Sequence, residues 1–532
     1  MSSATPSECV NACWNSISRK DLALARGLGS LELLVGQGTV DLHQFPTSFR
    51  TNSRSQEELP VLSRIPSQLK KVRSFARLSL VASVLVLGVT QGGAAAQSPY
   101  RVNDTAPGVI QDGQSWSTAF LTLQQAITAA NQNYDQIWVA EGTYKAGVSP
   151  ADTHLIPDTV DVYGGFDATE NFFSQRAGLF EQTILTGDLD GSASKSIADS
   201  FHIITLQNNG TNIIDGFRIE YGNAFASASV QSGGGILIPD ENELTLRNCI
   251  IRKCYAESEG AGVYGCRAAI SMSYCTIRDN RSKGHGGGVR LADSYGDIFN
   301  VLFAGNRSDA GGGGLNADIL SLTSPGLTIC NSLFRGNSSN LGGGLYVGLI
   351  GDRFAIVVNC TFAGNETFED ATGSGSEGAA IYLQDANTDY AQVYNSILWD
   401  NISMQGGRAV IDTIGGPGTS LVTVEYSDTQ TLTPWSGPGN INVDPLFVSP
   451  STSEYRLQAG SPCIDVGDNG RLPLDPLDLD DDTDLGEEVP YELIRGLPRR
   501  VDDPAALGTG APVNDDPYTD MGCYEKQVGT PG

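Results

Sequence analysis

Residues 331–348 read NSLFRGNSSNLGGGLYVG, and the chain repeats that phrase with variation. Residues 359–365 read NCTFAGN and 300–306 read NVLFAGN, while GGGGL stands at 311–315 and GGGV at 286–289. Aligned on the first asparagine of the phrase, successive copies begin at Gly216, Asn248, Tyr274, Asn300, Asn331, Asn359, Asn395 and Tyr426, at intervals of 32, 26, 26, 31, 28, 36 and 31 residues. Three residues after the anchor stands a large apolar side chain (Ile219, Ile251, Ile277, Phe303, Phe334, Phe362, Leu398), with only Thr429 departing. Six residues after it stands a small polar position: Cys254, Asn280, Asn306, Asn337, Asn365, Asn401.

Before each anchor the pattern has period two. The residues four and two places earlier are Leu244/Leu246, Ile270/Met272, Leu327/Ile329, Ala355/Val357, Ala391/Val393 and Val422/Val424. Such alternation marks a strand with one buried face. A third short strand is predicted after each glycine cluster, starting at Ile236, Val263, Val289, Leu315, Leu345, Ile381 and Val410. A unit of about 30 residues with three short strands cannot bury its apolar face alone, but stacked copies bury a continuous core. The architecture that sets strand on equivalent strand is an all-β, right-handed parallel β-helix, a three-stranded solenoid. The asparagines suit left-handed turn conformations, and stacked Asn side chains hydrogen-bond along the axis. The glycines supply positive φ and close backbone approach at a corner.

The ends need covers. WSTAFLTLQQAITAA (116–130) places Phe120, Leu123, Ile127 and Ala130 at helical spacing and is predicted to form an N-terminal capping helix, followed by the strand IWVA. Residues 97–200 read as this cap and the first coils, 201–443 as the repeats, and 444–532 as an acidic, turn-rich C-terminal module. From Cys463 onward that module has 17 acidic residues against 5 basic ones.

The segment KKVRSFARLSLVASVLVLGVTQGGAAA, 70–96, has the layout of a secretory signal peptide: Lys70, Lys71, Arg73 and Arg77, then the apolar run Leu78–Val89, then small residues with cleavage expected after Ala96. The run of 12 residues is too short to span a bilayer, which takes about 20. No transmembrane anchor is expected beyond it. Residues 1–69, with Cys9 and Cys13, show no periodicity and read as an extension outside the fold, either a long leader or the result of a start placed upstream of Val61, Leu62, Leu69 or Val72. The whole chain carries −28; ten basic and six acidic residues precede the cut, so the rest carries −32. That balance argues against a nucleic-acid partner, whose phosphates call for Lys and Arg, and suits a solvated surface or bound cations.

With YRVNDTAPG (from Tyr100), SWSTAF, IWVAEGTYK, VYGGFDATE, SPCIDVGDN, PRRVDDP and DMGCYE, the chain resembles secreted bacterial right-handed β-helix proteins ending in a choice-of-anchor Q module. The GGG and FxGN repeats are also similar to those of chlamydial polymorphic outer membrane proteins. The resemblance covers nearly all of residues 98–527. It implies an extracellular or cell-surface location and no defined activity. Polymorphic membrane proteins end in a membrane barrel; no barrel follows DMGCYE here, so release rather than autotransport is expected. Cys463 and Cys523, the two cysteines beyond the repeats, stand where this family usually has small residues, and export permits disulfides, so a Cys463–Cys523 bridge is expected.

Three sets of residues bear on chemistry. GHG at 284–286 resembles one motif of polygalacturonases, but the paired aspartates (Asp481-Asp482, Asp502-Asp503, Asp515-Asp516) lie outside the repeat, and His285 reads as a turn residue. Glu220, Arg252, Arg278 and Asp279 fall at neighbouring positions of adjacent coils, as the calcium-holding carboxylates and basic arginine of pectate lyases would; they read equally as a solvated face. DLDDDTD spaces Asp478, Asp480, Asp482 and Asp484 two apart, as calcium loops do. With Thr483 at the sixth place and Val489 at the twelfth it is not an EF-hand, and it reads either as a structural calcium loop or as a solvated acidic one. The favoured function is non-enzymatic binding of a polysaccharide or cell-surface component. A polysaccharide lyase or hydrolase acting on an acidic polysaccharide is the alternative, and a structural surface-layer component is the third reading.

Overall fold

The computed structural model describes residues 98–527 apart from 131–134, 208–209, 226–230, 320–325, 350–353, 371–372, 374, 385–389, 407, 432, 505, 507–509 and 511–516. The extension 1–69, the segment 70–96 with Ala96, and Asp515-Asp516 lie outside the described residues.

The chain winds as a right-handed parallel β-helix. Sheet A has 11 strands, from Tyr100–Val102 to Thr423–Glu425, and sheet B has 10, from Gly142–Tyr144 to Asp428–Thr429. Sheet D has 9, from His154–Ile156 to Ile414–Gly415. Between B and D runs a fourth ladder the sequence reading did not separate, sheet C, built mostly of two-residue strands such as Ser338–Ser339. One coil runs Leu327–Cys330 (A), Leu333–Arg335 (B), Ser338–Ser339 (C), Leu345–Leu349 (D) and on to Phe354–Val358 (A).

Every repeat anchor sits at the A–B corner with a left-handed backbone: φ is 85° at Gly216, 50° at Asn248, 52° at Tyr274, 57° at Asn300, 49° at Asn331, 51° at Asn359, 48° at Asn395 and 49° at Tyr426. Asparagine is among the few residues that tolerate this conformation, and glycine has no Cβ to clash. The apolar residue three places on points inward, so Phe303 and Phe334 stack with centroids 4.5 Å apart, as do Phe334 and Phe362.

The second asparagine makes the continuous axial ladder; among the first asparagines only Asn395 donates to the one before it, Asn359 (3.3 Å). Asn280, Asn306, Asn337, Asn365 and Asn401 are all buried. The Oδ1 of Asn306 accepts the main-chain N–H (3.2 Å) and side-chain Nδ2 (3.0 Å) of Asn280. Asn337 does the same for Asn306, Asn365 for Asn337, and Asn401 for Asn365. Each Nδ2 also donates to a carbonyl one coil back, as Asn337 does to Phe303 O (3.0 Å). At the next corner a Cβ on Gly314 would lie 2.7 Å from Gly344 O, so only glycine lets the coils meet there.

Three details depart from expectation. The capping helix α1 is only Leu123–Ala129, because Thr122 and Gln125 form a capping box that starts it, while Trp116–Thr118 is a separate 3₁₀ turn. Leu123, Ala126 and Ile127 of α1 are buried in the same core as Val102 and Ile137, so the plugging role holds. The strand at Val410 is not a sheet D strand. Arg408–Ile411 folds back antiparallel on Ile402–Gln405 through a turn at Gly406 (φ 58°), and Ile414–Gly415 takes the place in sheet D.

The third departure lies in the C-terminal module. After the hairpin of Phe447–Ser449 and Glu454–Leu457 it lies along the A–B corner as a flap. The anchor side chains hold it: Tyr274 OH donates to Leu479 O (3.2 Å), Asn331 Nδ2 to Tyr491 O (2.7 Å) and Asn395 Nδ2 to Asp468 O (3.0 Å). Leu472, Leu479 and Val489 pack on the outer side chains Phe299, Cys330, Val358 and Tyr394 of sheet A. The expected Cys463–Cys523 bridge is absent; both are free, buried thiols. Each is committed to the solenoid through its own partner, Cys463 Sγ to Asp428 Oδ2 (3.3 Å) and Cys523 N–H to Thr361 Oγ1 (3.1 Å). Among the described residues no helix is long and apolar enough to cross a membrane.

Inside the flap, Glu492, Asp520 and Glu525 crowd the single buried guanidinium of Arg499. Burial pushes Glu492 and Asp520 up to about 7 and Glu525 well above the carboxylate range.

Two predictions follow from these contacts. Asn337→Ala strips Asn306 of its acceptor and Phe303 O of its donor; at about 1–3 kcal/mol per orphaned group, urea unfolding should give a loss of about 3 kcal/mol. The raised carboxyls bind protons in the folded state that the unfolded chain releases near pH 4, so stability is full below that pH and falls as pH rises toward and through about 7. Calorimetric melting should therefore fall between about pH 5 and 8, and Glu492→Gln, fixed in the neutral form, should lessen the fall by about 3 kcal/mol.

Candidate functional site

The flap and the early coils enclose one cleft, lined by Phe173, Phe180 and Arg176 of the second coil, Asp215, Arg247 and Tyr274 of the next corners, and Asp478, Leu479, Asp481 and Arg495 of the flap. Gly216 makes room for it: a Cβ there would lie 2.0 Å from Arg176 Nη2. Arg176 lies over the Phe180 ring (4.8 Å), donates to Gly164 O (2.5 Å) and pairs with Asp215 (3.1 Å). Asp215 is buried, also accepts Asn248 Nδ2 (2.8 Å) and lies 3.8 Å from Arg247. Across the cleft Asp481 pairs with Arg495 and approaches Arg247 (3.9 Å). Arg495 in turn covers the Tyr274 ring (4.9 Å), whose phenol burial pushes up, out of the titrating range near neutrality.

The acidic loop that gives Asp478 and Asp481 to the cleft also gathers carboxylates. The carboxylates of Asp478, Asp480 and Asp482 offer oxygens within 4.8 Å of one another, and so do those of Asp475, Asp480 and Glu487. Asp480 belongs to both trios and links them. The spacing of two thus places three of the four expected residues together. Asp484 turns away and caps Gly486 N–H (2.9 Å), while Asp475 and Glu487 complete the group. Asp475 N–H bonds to Glu487 O (2.9 Å), a pairing across twelve residues that no local spacing announces. Burial and then Asp480 raise the carboxyls of Asp475 and Glu487, as expected where like charges converge. Oδ1 of Asp480 and Oε1 of Glu487 are shielded from solvent without a hydrogen-bond partner. This donor set, all oxygen, fits a hard cation such as calcium.

The other candidates resolve differently. Glu220, Arg252 and Arg278 do share one ladder of sheet B, in register. They sit there as paired ions: Glu220 with Arg252 (2.7 Å) and Arg218 (3.3 Å), Arg278 with Asp279 (2.8 Å). His285 Nδ1 lies 3.1 Å from Asn316 Nδ2, and burial, ahead of the repulsion from Arg290, lowers its pKa. It adjoins a ladder the sequence reading missed, Tyr264, Arg290, Asn316, Tyr346 and Tyr382 on sheet D. The second residue of each third strand carries that signal.

The chain matches a family described as Protein of unknown function (DUF1565), over residues 103–298. No curated protein matches it. Among solved structures it is similar to pectate lyase Pel9A at 11% identity and a TM-score of 0.40, covering 81% of this chain and 97% of that one. It is also similar to the pectin methylesterase from Aspergillus niger (14%, TM-score 0.27, 64% and 92% covered) and to pectin methylesterase PemA from Erwinia chrysanthemi (10%, 0.26, 66% and 92%).

The two sides of the cleft differ in burial, and mutation should separate them. Asp215→Ala leaves the nearly buried Arg176 without its carboxylate and should cost about 3 kcal/mol in denaturant unfolding. Asp481→Ala, on a side chain 58% exposed, should cost less than about 1 kcal/mol.

Proposed function

We propose that this is a secreted or cell-surface β-helix protein that binds acidic polysaccharide in the flap cleft without cleaving it, with calcium on the neighbouring carboxylates of Asp475, Asp478, Asp480, Asp482 and Glu487. One observation carries the reading. Within a single loop, Asp478, Asp480 and Asp482 gather on a cation locus while Asp481, between them, faces Arg247 and Arg495 beside the Tyr274 ring. Arginines and an aromatic face suit a sugar ring carrying a carboxylate, and a calcium ion a few ångströms away would bridge that carboxylate to the loop. Export rests on the segment 70–96 with its cut after Ala96. The non-catalytic reading rests on the pairing of the cleft's arginines with Asp215 and Asp481, which keeps those arginines from serving as a free base.

The test is a panel of pectins, alginates and sulfated glycans against neutral glycans, with and without Ca²⁺, read for affinity and for new reducing ends. Expected are calcium-dependent affinity for acidic glycans and no reducing ends, with affinity reduced about tenfold or more in the Arg247→Ala/Arg495→Ala double variant and likewise in Asp480→Asn. Release of reducing ends would establish a lyase or hydrolase instead. No affinity for any acidic glycan would remove the binding reading.

A further inference from the structure

A second acidic loop stands on the second coil of the solenoid. DLDGSASKSIAD, residues 188–199, connects the sheet B strand Thr183–Thr186 to the sheet D strand Ile204–Leu206, where this coil lacks a sheet C strand. Asp188, Asp190 and Asp199 bring carboxylate oxygens within 4.8 Å of one another. Asp199 is fully buried, at 0% exposure. One of its oxygens accepts Ser196 N–H (2.6 Å), and Oδ1 is closed off from solvent with no hydrogen-bond partner. A buried carboxylate oxygen without a hydrogen-bond partner, with two other carboxylates beside it, is costly unless a cation sits among them. Of the neighbouring ammonium groups, Lys145 bonds to Leu189 O (3.4 Å) and Lys195 lies on the Tyr255 ring (3.0 Å). Burial, reinforced by Asp190 and Asp188, pushes Asp199 up to about 6.

The spacing agrees with the geometry. Counted from Asp188, places one, three, five, nine and twelve are Asp188, Asp190, Ser192, Ser196 and Asp199, all oxygen-bearing. Place six, where calcium loops turn sharply and carry glycine, is Ala193 with φ 51°. The twelfth residue is Asp rather than Glu, which shortens the reach of the last ligand.

We propose that loop 188–199 is a divalent-cation site for calcium, with Asp188, Asp190 and Asp199 as the charged ligands, separate from the carboxylate locus of the flap. Its C-terminal end is tied to the first sheet C strand, since Asn223 N–H donates to Ser200 O (2.7 Å) and Asn223 Nδ2 to Ser196 O (2.6 Å). A bound ion would therefore fix the loop that covers the open edge of that ladder. The shortened twelfth ligand places the affinity in the weak range of extracellular modules, a Kd of about 10⁻⁴–10⁻³ M.

The experiment uses the full chain carrying Asp480→Asn, which disables the flap locus, so that failure here and failure of the polysaccharide reading are distinguishable. Calcium titration by calorimetry should find one remaining weak site, and about 10 mM CaCl₂, tenfold above that range, should raise the melting temperature. Adding Asp199→Asn, or Asp190→Asn should the buried variant fold poorly, should weaken the site by about tenfold or more. Absence of any calcium heat or melting shift in the Asp480→Asn protein overturns the proposal. So does a site that survives unchanged in Asp190→Asn.

Discussion

The carboxamides of Asn280, Asn306, Asn337, Asn365 and Asn401 set the pitch of the molecule. Each oxygen receives both the main-chain and the side-chain donor of the coil before it, so neighbouring coils cannot slip along a strand without orphaning buried amide groups. Register fixed at this one interior corner is inherited by every other ladder. It puts the phenylalanine rings face to face inside, and outside it lines up Glu220 with Arg252 and Tyr346 with Tyr382. The spacing between coils varies from 26 to 36 residues, yet the ladder is unbroken, because the extra residues leave the coil as loops and hairpins such as Arg408–Ile411.

The outer corner is put to a different use. Anchor residues in the left-handed conformation project polar side chains sideways, and the flap takes them as hydrogen-bond partners in place of water. The cleft is a product of this docking. Neither the solenoid nor the flap alone contains it: Asp215 and Arg247 come from one, Asp481 and Arg495 from the other.

The periodic part of the fold was legible in the sequence because burial imposes a repeat: the anchors, the inward residue three places on and the alternating strand before them all stand where the spacing placed them. What escaped was whatever shared a letter but differed in surroundings. Asparagine at the anchor and asparagine six places later look alike in sequence, and only packing makes one a ladder and the other a dock. Val410 alternates like its counterparts because a hairpin alternates too. For the acidic loop, spacing of two identified Asp478, Asp480 and Asp482, but Asp475 and Glu487 join them through a tertiary pairing. The cysteines Cys463 and Cys523 read as partners from their position in the chain; their neighbours, Asp428 and Thr361, are supplied by the solenoid.

The flap also changes how the solenoid comes apart. In a stack where each coil touches only its neighbours, unfolding proceeds by fraying from an end, one coil at a time. Here a single covalent segment grips corners from Tyr274 to Asn395, so the last coils cannot peel away while the strap is seated. Loss of the strap and loss of several coils become one cooperative event. The strap follows in the chain all the coils it binds, so during synthesis those coils fold first as a frayable stack and gain this cooperativity only when residues 463–527 arrive.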